Sequence, residues 1–289
     1  MGSQMDMGAS KRGVNLGPLA VRYTGLIENL TEMGFKVRDK GDIIPRALPD
    51  TYPGLKNLNA INEANKKLYA LVGKSLAEGA FPVLLGGDHS ISAGSIPAMQ
   101  KHFGNIGVIW IDAHGDFNNA ESSHSGNLHG MSLSAVCGFG PEEMLSLISG
   151  PQFVDPKKTV LVGGRDFDKE ERVRLKDSGA TVFSISDIDR YGMSEIIRRA
   201  IDIASNGTAG IHLSFDMDAV SPEGAPGVGT PVYSGLTLRE AFLAAELLHE
   251  SDKLLSVEMV EINAIIDQSN KTAVLAAELI LSCLGKTVY

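Results

Sequence analysis

The stretch IGVIWIDAHGDFN, residues 106–118, contains a predicted strand and a cluster of polar side chains. Its first six residues are apolar or glycine and rich in β-branched side chains, which is typical of a strand buried on both faces. Asp112, His114 and Asp116 follow at every second position. Because side chains alternate in direction along a strand, these three would share one face if the extended conformation continued. The stretch therefore predicts a buried strand that ends in three potential metal ligands.

Further short apolar runs along the chain also predict strands. They lie at residues 81–85, 159–163, 181–185, 210–215 and 254–260. The segments between them show helical periodicity at residues 58–79, 194–205, 237–250 and 271–285. This alternation predicts an α/β protein, a three-layer αβα sandwich with a largely parallel central sheet. No internal repeat or linker-like tract divides the sequence, so we expect a single domain over residues 1–289.

The composition excludes several classes of partner. The 289 residues carry a formal net charge of -9, and a nucleic-acid interface needs a basic patch instead. Cys137 and Cys283 form no CxxC pair, so neither a disulfide framework nor a thiolate metal site is indicated. No apolar run approaches the roughly 20 residues that span a bilayer, and the first residues lack the apolar stretch of a secretory signal. We expect a cytoplasmic protein with no nucleic-acid or membrane partner.

Three predicted strands are followed by histidine or aspartate. In a parallel sheet, ligands bind beyond the carboxyl ends of the strands. The run at 81–85 is followed by Asp88 and His89, and the run at 210–215 by Asp216 and Asp218. Taken alone, His89 would suit a loop or a helix cap, and the acidic pairs would suit a solvated loop. Together with residues 112–116, these strand ends predict one shared site.

The combination of side chains indicates a metal centre. Clustered carboxylates near a buried sheet need a cation or positively charged partners. Carboxylates with a minority of imidazoles suit Mn²⁺, Fe²⁺ or Zn²⁺ better than Ca²⁺ or Mg²⁺. Six ligands exceed what one structural zinc takes, so two metals that share carboxylates and activate a water are the simpler arrangement. The six candidates are His89, Asp112, His114, Asp116, Asp216 and Asp218.

The sequence also contains two strand-then-glycine turns that could suggest a nucleotide or phosphate binder. These are LLGGD at residues 84–88 and LVGGRD at residues 161–166. Neither completes a GxGxxG or a P-loop pattern, and the clustered acids would repel phosphate. A phosphate site is therefore the weaker interpretation.

Five motifs resemble those of the ureohydrolase family, and within it the arginases rather than the agmatinases. They are GGDHS (86–90), DAHGDFN (112–118), SGNLHG (125–130), SFDMDAVSPEGAPGVGTPV (214–232) and VEMVEIN (257–263). The resemblance runs in order from about Met5 to the end of the chain. It implies hydrolysis of L-arginine to L-ornithine and urea by a hydroxide that bridges two Mn²⁺ ions.

The resemblance also implies a division of the ligands between the two ions. One ion would be held by His89, Asp112, Asp116 and Asp216, and the other by Asp112, His114, Asp216 and Asp218. Asp112 and Asp216 would then bridge the two ions. Asp116 would in addition accept a hydrogen bond from the hydroxide and relay a proton to the leaving amine.

Two further residues match catalytic positions of the family. His129 matches a histidine that shuttles protons between solvent and the site, work that suits an imidazole titrating near neutrality. Glu261 matches the acid that binds the substrate guanidinium, a charge-assisted contact. Glu258, earlier on the same predicted strand, is expected to be a structural partner instead.

The resemblance implies a set of residues that select arginine. Asn118, Ser125 and Asn127 would accept the α-carboxylate, directly or through water. Asp168 would face the α-ammonium group with Glu171 behind it, and Thr230 would line the substrate site. Each residue alone would also suit a turn. Agmatinase, or another ureohydrolase of guanidino acids, is the alternative activity. A catalytically silent metal-binding member is a further alternative, which the presence of all six ligands, His129 and Glu261 disfavours.

The start of the chain departs from the family pattern. Ureohydrolases usually open with a short apolar strand inside the sheet, but here only MGSQMDMGASKRG precedes a helix that begins near Gly17. We expect the first strand to be missing or shortened, which would expose two strand edges unless another segment fills the gap. The resemblance finally implies a homo-oligomer, either a trimer or a hexamer.

Overall fold

A computed structural model describes residues 1–50, 52–146, 148, 150 and 153–287. All neighbouring strands in its eight-stranded sheet pair in parallel, in the order β2-β1-β3-β8-β7-β4-β5-β6. The six strands predicted from the apolar runs are present and begin or end within two residues of the predicted limits. The strands are β1 (Gly2–Ser3), β2 (Asp42–Ile43), β3 (Val83–Gly86), β4 (Gly107–Ile111), β5 (Thr159–Gly164), β6 (Thr181–Ser184), β7 (Ile211–Asp216) and β8 (Leu254–Val260).

The described residues also form ten α-helices. They are α1 (Gly17–Arg22), α2 (Leu26–Glu32), α3 (Leu58–Ala77), α4 (Ser92–Phe103), α5 (Ser132–Val136), α6 (Lys169–Ser178), α7 (Ile185–Tyr191), α8 (Met193–Ser205), α9 (Leu238–Glu250) and α10 (Lys271–Cys283). The four long predicted helices correspond to α3, α8, α9 and α10. Sequence reasoning missed α4, whose serines, glycine and internal Pro97 have low helix propensity and whose first nine residues are buried. No helix among the described residues is both long and apolar enough to cross a membrane.

Helices cover both faces of the sheet. Ile109 and Ile111 of β4 pack into one hydrophobic core with residues of α1, α2, α8, α9 and α10. Val108 and Trp110, which alternate with them, pack into a second core with residues of α3, α4 and α5. A strand that is apolar on both faces is the signature of a parallel sheet enclosed between two helical layers. The predicted three-layer αβα architecture is confirmed.

The first strand is short but present. Gly2–Ser3 lies between β2 and β3, where the N–H of Gly2 donates to the carbonyl of Gly41 (2.9 Å) and the carbonyl of Met1 accepts from Leu85 (3.0 Å). A two-residue strand therefore occupies the place where the sequence analysis expected the first strand to be missing or shortened. Two residues, one of them glycine, give no apolar run from which a strand could be predicted. The two edges that its loss would expose are paired.

Substitutions at two glycines are expected to change stability in opposite directions. A Cβ at Gly107 would lie 2.0 Å from the carbonyl oxygen of Ala204, whereas a Cβ at Gly73 in α3 meets nothing within 4 Å. Gly107→Ala should lower the free energy of unfolding by about 1–3 kcal/mol because β4 must move away from α8. Gly73→Ala, the matched control, should raise it by about 0.5–1 kcal/mol. Urea denaturation measures both, and equal effects would contradict the close packing at Gly107.

Candidate metal centre and active site

The site lies at the carboxyl ends of four adjacent strands. β3, β8, β7 and β4 are neighbours in that order within the sheet. His89 lies three residues beyond β3, Glu261 directly follows β8, Asp216 ends β7 and Asp112 directly follows β4. The parallel arrangement alone therefore collects these side chains at one edge, where such folds bind ligands.

Tight turns, and not strand alternation, bring the remaining ligands inward. Oδ1 of Asp112 accepts a hydrogen bond from the N–H of His114 (2.7 Å), and Oδ1 of Asp216 accepts one from Asp218 (2.8 Å). Such aspartate turns bend the chain directly after each strand. Asp116 then adopts a left-handed backbone with φ of 48°. The extended conformation on which the shared face of residues 112–116 depended does not continue, although all three side chains do reach the site.

One group of ligands surrounds the imidazole of His89. Its Nδ1 lies 3.2 Å from Oδ2 of Asp112, 3.1 Å from Oδ2 of Asp116 and 3.3 Å from Oδ2 of Asp216. All four residues are buried. Three carboxylate oxygens thus lie within 3.3 Å of one buried imidazole nitrogen.

A second group shares Asp112 with the first. Nδ1 of His114 lies 3.4 Å from Oδ1 of Asp112 and 3.2 Å from Oδ2 of Asp218. Asp112 turns its other oxygen, Oδ2, towards His89. The ligand atoms of His89, Asp112 and Asp216 lie within 4.8 Å of one another, as do those of Asp112, His114 and Asp218, so Asp112 belongs to both sets. Asp112 is therefore positioned to bridge two ions, while the bridging role of Asp216 stays a prediction.

A row of side chains across the sheet sets the orientation of His89. Trp110, Ser214 and Glu258 occupy paired positions on β4, β7 and β8. The hydroxyl of Ser214 donates to Glu258 (2.9 Å), so the serine oxygen is free to accept from Nε2 of His89 at 2.8 Å. The indole of Trp110 stacks on the imidazole with ring centroids 3.8 Å apart. A proton held on Nε2 leaves the lone pair of Nδ1 directed at the three carboxylates.

This arrangement fits a bound cation. Nδ1 of His89 is buried without a hydrogen-bond partner among the described residues, and an ionised carboxylate has no donor to offer it. Burial and the charges of Asp218 and Asp112 raise the pKa of Asp216 well above its ordinary value. Among the described residues, no lysine or arginine forms an ion pair with any of the four aspartates. A buried imidazole lone pair facing mutually repelling carboxylates is the chemistry of a divalent metal site.

Glu261 connects the metal ligands to His129. Oε1 of Glu261 accepts from the backbone N–H of His89 (2.9 Å) and lies 3.0 Å from Nδ1 of His129. Burial alone would lower the pKa of His129, but the negative charge of Glu261 outweighs it and raises that pKa to about 9. Glu261 therefore favours the cationic form of His129. Oε2 of Glu261 accepts no hydrogen bond from the described residues and can meet a ligand.

The residues expected to select the substrate divide into two sets. Nδ2 of Asn118 donates to Oδ2 of Asp168 (3.1 Å), and the hydroxyl of Thr230 donates to Asp218 (2.9 Å). The second contact places Thr230 beside a predicted metal ligand, and the first joins Asp168 to Asn118, which lies two residues after the predicted ligand Asp116. Glu171 is buried behind them, where it accepts the backbone N–H groups of Phe117 (2.9 Å) and Asp168 (3.2 Å).

Ser125 and Asn127 lie on the surface loop before His129. The hydroxyl of Ser125 accepts the N–H of Asn127 (3.2 Å), and the amide of Asn127 donates to the hydroxyl of Ser10 (2.8 Å). No hydrogen bond within the described part of the chain joins either residue to the His and Asp ligands. Their contact with the α-carboxylate therefore stays a prediction.

Sequence reasoning missed two residues that support the ligands. Trp110 donates its Nε1–H to Oδ2 of Asp112 (2.9 Å) in addition to stacking on His89, and Ser214 joins His89 to Glu258. Both were interpreted only as strand residues. The available signal was their position within two residues of the predicted ligands on strands β4 and β7. The expectation that Glu258 is a structural partner is consistent with its contacts.

The fold and the site together are those of a metal-dependent hydrolase. A parallel α/β sheet presents two His/Asp groups that share a carboxylate, with a further buried glutamate beside them. Comparison with known proteins narrows this class. Residues 1–285 match the model of the arginase family, so the chain belongs to that family of binuclear metal enzymes.

Individual relatives agree with this assignment. The arginase of Bacillus subtilis (strain 168) is 45% identical over 99% of this chain and 97% of its own length. The crystal structure of arginase from Bacillus caldovelox, 42% identical, superposes with a TM-score of 0.95 over 100% of this chain and 98% of its own. The Entamoeba histolytica arginase, crystallised in complex with L-ornithine, is 33% identical, with a TM-score of 0.90 over 98% of this chain and 96% of its own.

Proposed function

We propose that this protein hydrolyses L-arginine to L-ornithine and urea with two Mn²⁺ ions bound per chain. The observation that carries the proposal is the pair of His/Asp groups joined through Asp112, with the free Oε2 of Glu261 beside them. A metal pair next to a buried carboxylate with one free oxygen suits a cationic guanidinium substrate. The Entamoeba relative that binds L-ornithine, a product of this reaction, supports the same substrate.

We assign the ligands as the family motifs suggest. His89, Asp112, Asp116 and Asp216 would hold one ion, and Asp112, His114, Asp216 and Asp218 the other. The mixed carboxylate and imidazole donors support Mn²⁺ over Ca²⁺ or Mg²⁺. When bound, such a pair supplies Lewis-acid polarisation and lowers the pKa of water, so that a nucleophile exists at neutral pH.

The chain's own side chains would orient the substrate and move protons. Oε2 of Glu261 accepts the guanidinium N–H groups and fixes the carbon to be attacked. Asp116, whose pKa is raised to about 6 by burial and by the charge of Asp112, takes a proton from the attacking water and passes it to the leaving nitrogen. The departing amine needs a second proton to become an ammonium ion, and the second O–H bond of the water releases one as the urea carbonyl forms. His129, a side chain partly open to solvent, supplies the proton to the amine and regains the released one by exchange through bulk water, so the net reaction consumes no proton.

Selection of arginine over its decarboxylated relative would depend on the α-substituents. Asn118 and Asp168 form one hydrogen-bonded pair at the edge of the site. Asp168 offers a negative charge to an α-ammonium group, and the amides of Asn118 and Asn127 with the hydroxyl of Ser125 offer neutral donors to an α-carboxylate. Thr230, fixed to Asp218, would line the same site.

Asp168→Ala is expected to separate arginine from agmatine. Loss of a charge-assisted contact with the α-ammonium group should raise KM for arginine by about 10- to 100-fold. Agmatine lacks the α-substituents, so its KM should change much less. Steady-state urea release with both substrates measures the difference, with Glu170→Ala, an exposed neighbour, as the control. Equal changes for both substrates would remove Asp168 from this role.

Urea release from arginine, agmatine and 4-guanidinobutyrate, with and without added Mn²⁺, tests the activity itself. We expect arginine to be preferred and chelation to abolish turnover. A preference for agmatine or 4-guanidinobutyrate would favour the other ureohydrolases, and no urea from any of the three would favour a silent metal-binding protein. Metal analysis of the same samples should give two ions per chain.

We also propose a single-domain, cytoplasmic homo-oligomer. Both cysteines are buried and unpaired, which suits a reducing compartment. The exposed side chains of Leu19, Tyr23 and Ile265 support an apolar contact between subunits. Light scattering coupled to gel filtration would distinguish a trimer from a hexamer, and a monomer at micromolar concentration would contradict the assembly.

A further inference from the structure

Arg165, the first residue after β5, binds five backbone carbonyl groups. Its Nη2 donates to the carbonyls of Asp218 (2.8 Å) and Val232 (2.7 Å), and its Nε donates to Tyr233 (3.1 Å). Its Nη1 donates to the carbonyls of Ala219 (3.1 Å) and Gly163 (3.4 Å). A guanidinium has five N–H donors, and here five carbonyls accept from it.

Four of these five carbonyls belong to segments that carry predicted site residues, and the fifth, that of Gly163, lies in β5. Residues 218 and 219 lie in the turn after β7, which contains the metal ligand Asp218. Residues 232 and 233 follow Thr230, whose hydroxyl donates to the Asp218 carboxylate (2.9 Å). The guanidinium therefore joins the main chains of the two segments whose side chains meet at Asp218.

The backbone of Arg165 fixes a third segment. The N–H groups of Arg165 and Asp166 both donate to the carbonyl of Ala113, at 2.8 and 3.0 Å. Ala113 lies between Asp112 and His114, two of the predicted ligands. One residue thus contacts the loops after β4 and β7 and the segment that carries Thr230.

The packing around the side chain requires a guanidinium in this place. No carboxylate of the described residues forms an ion pair with Arg165, so its charge is balanced by carbonyl dipoles and by the nearby anionic cluster. Gly235 gives it room, since a Cβ there would lie 2.5 Å from Nη2. A lysine has three donors on a single nitrogen and cannot reach carbonyls on both sides of this fork.

We propose that Arg165 is a positioning residue that fixes the Asp218 turn and the Thr230 segment relative to each other and so completes the second metal site. It touches neither the metal position nor the substrate groups directly. Its effect passes through the main chain of residues 218–219 and 232–233. The inference rests on the proposed metal centre but is independent of which guanidino compound the enzyme hydrolyses.

The test compares Arg165→Lys and Arg165→Gln with Arg172→Lys. Arg172 is exposed and lines a 650 Å³ cavity together with Arg165. Equilibrium dialysis against Mn²⁺ should show the second ion bound about 10- to 100-fold more weakly in both Arg165 variants. Amide exchange at Ser221 and Leu236, whose N–H groups cross-link the two segments, should become at least about 10-fold faster. Arg172→Lys should match the wild type in both measurements.

Unchanged metal affinity and unchanged exchange in a folded Arg165 variant would overturn the proposal. The wild-type protein provides a second test that needs no variant to fold. Chelation of Mn²⁺ should speed exchange at Ser221 and Leu236 together, because the turn and the segment move as one unit, and an effect on neither would also overturn it. Absence of arginine turnover in the wild-type protein, with the expected changes in exchange and metal affinity present in the Arg165 variants, would instead contradict the proposed activity alone.

Discussion

Asp112→Asn is expected to reduce arginine turnover on the order of 1,000-fold or more, a rise of about 4 kcal/mol in the activation barrier. Asp112 is the residue whose two oxygens face both His89 and His114. An amide offers one oxygen and no charge, so it cannot serve both ions. Its NH₂ group would also face either the indole N–H of Trp110 or the N–H of His114, both of which are donors.

Metal content and urea release measured on the same preparation check this prediction. We expect fewer than two Mn²⁺ ions per chain in Asp112→Asn, with the circular dichroism spectrum retained. Asp166→Asn, an exposed aspartate beside Arg165, is the matched control and should behave as the wild type. Full metal content and near-normal turnover in Asp112→Asn would rule out a bridging carboxylate at this position.

Glu261→Gln is expected to lower kcat/KM for arginine about 100-fold or more while both metal ions stay bound. Glutamine keeps an oxygen that can accept from the N–H of His89, so the ligand loop should hold its place. It replaces the charged Oε2 that would receive the guanidinium with a neutral group, which removes a charge-assisted contact of about 3 kcal/mol.

The same variant should change the titration of His129. The pKa of His129 is raised to about 9 chiefly by the charge of Glu261 against the opposing effect of burial. In Glu261→Gln that charge is absent, so burial should move the pKa downwards, which nuclear magnetic resonance of the imidazole can follow. Glu258→Gln serves as a comparison because it neutralises a buried glutamate whose hydroxyl partners are Ser92, Ser95 and Ser214. A His129 pKa unaffected by Glu261→Gln would exclude the coupling.

The sheet could be predicted because its inner strands are apolar on both faces. Residues 107–111 and 159–164 are buried, and short apolar runs rich in β-branched residues are typical of buried strands. The order of the strands could not be predicted, since three of the pairings, β1 with β3, β3 with β8 and β4 with β7, join strands that are not consecutive in the sequence. Gly2–Ser3 was missed for a related reason. Its place in the sheet depends on backbone pairing with β2 and β3 and not on its own side chains.

For the site, the residue types could be predicted from the sequence, but their local conformation could not. Histidine and aspartate after three strands indicated a metal centre from residue type alone, and the parallel sheet brings them together. The alternating spacing of these residues does not predict their local conformation. The positive φ of Asp116 and the aspartate turns at Asp112 and Asp216 follow from backbone hydrogen bonds. The contacts of the Arg165 guanidinium could not be predicted from the sequence either, because all its hydrogen-bond partners are backbone carbonyl groups.

The stacking of Trp110 on His89 has a practical consequence. The chain contains one tryptophan, and that indole also donates to Asp112. All tryptophan fluorescence of this protein therefore comes from one indole that contacts two of the proposed metal ligands. Loading and loss of metal can be followed on the unlabelled enzyme, without a dye or a coupled assay. The centre carries its own optical reporter, and no second indole elsewhere in the chain dilutes the signal.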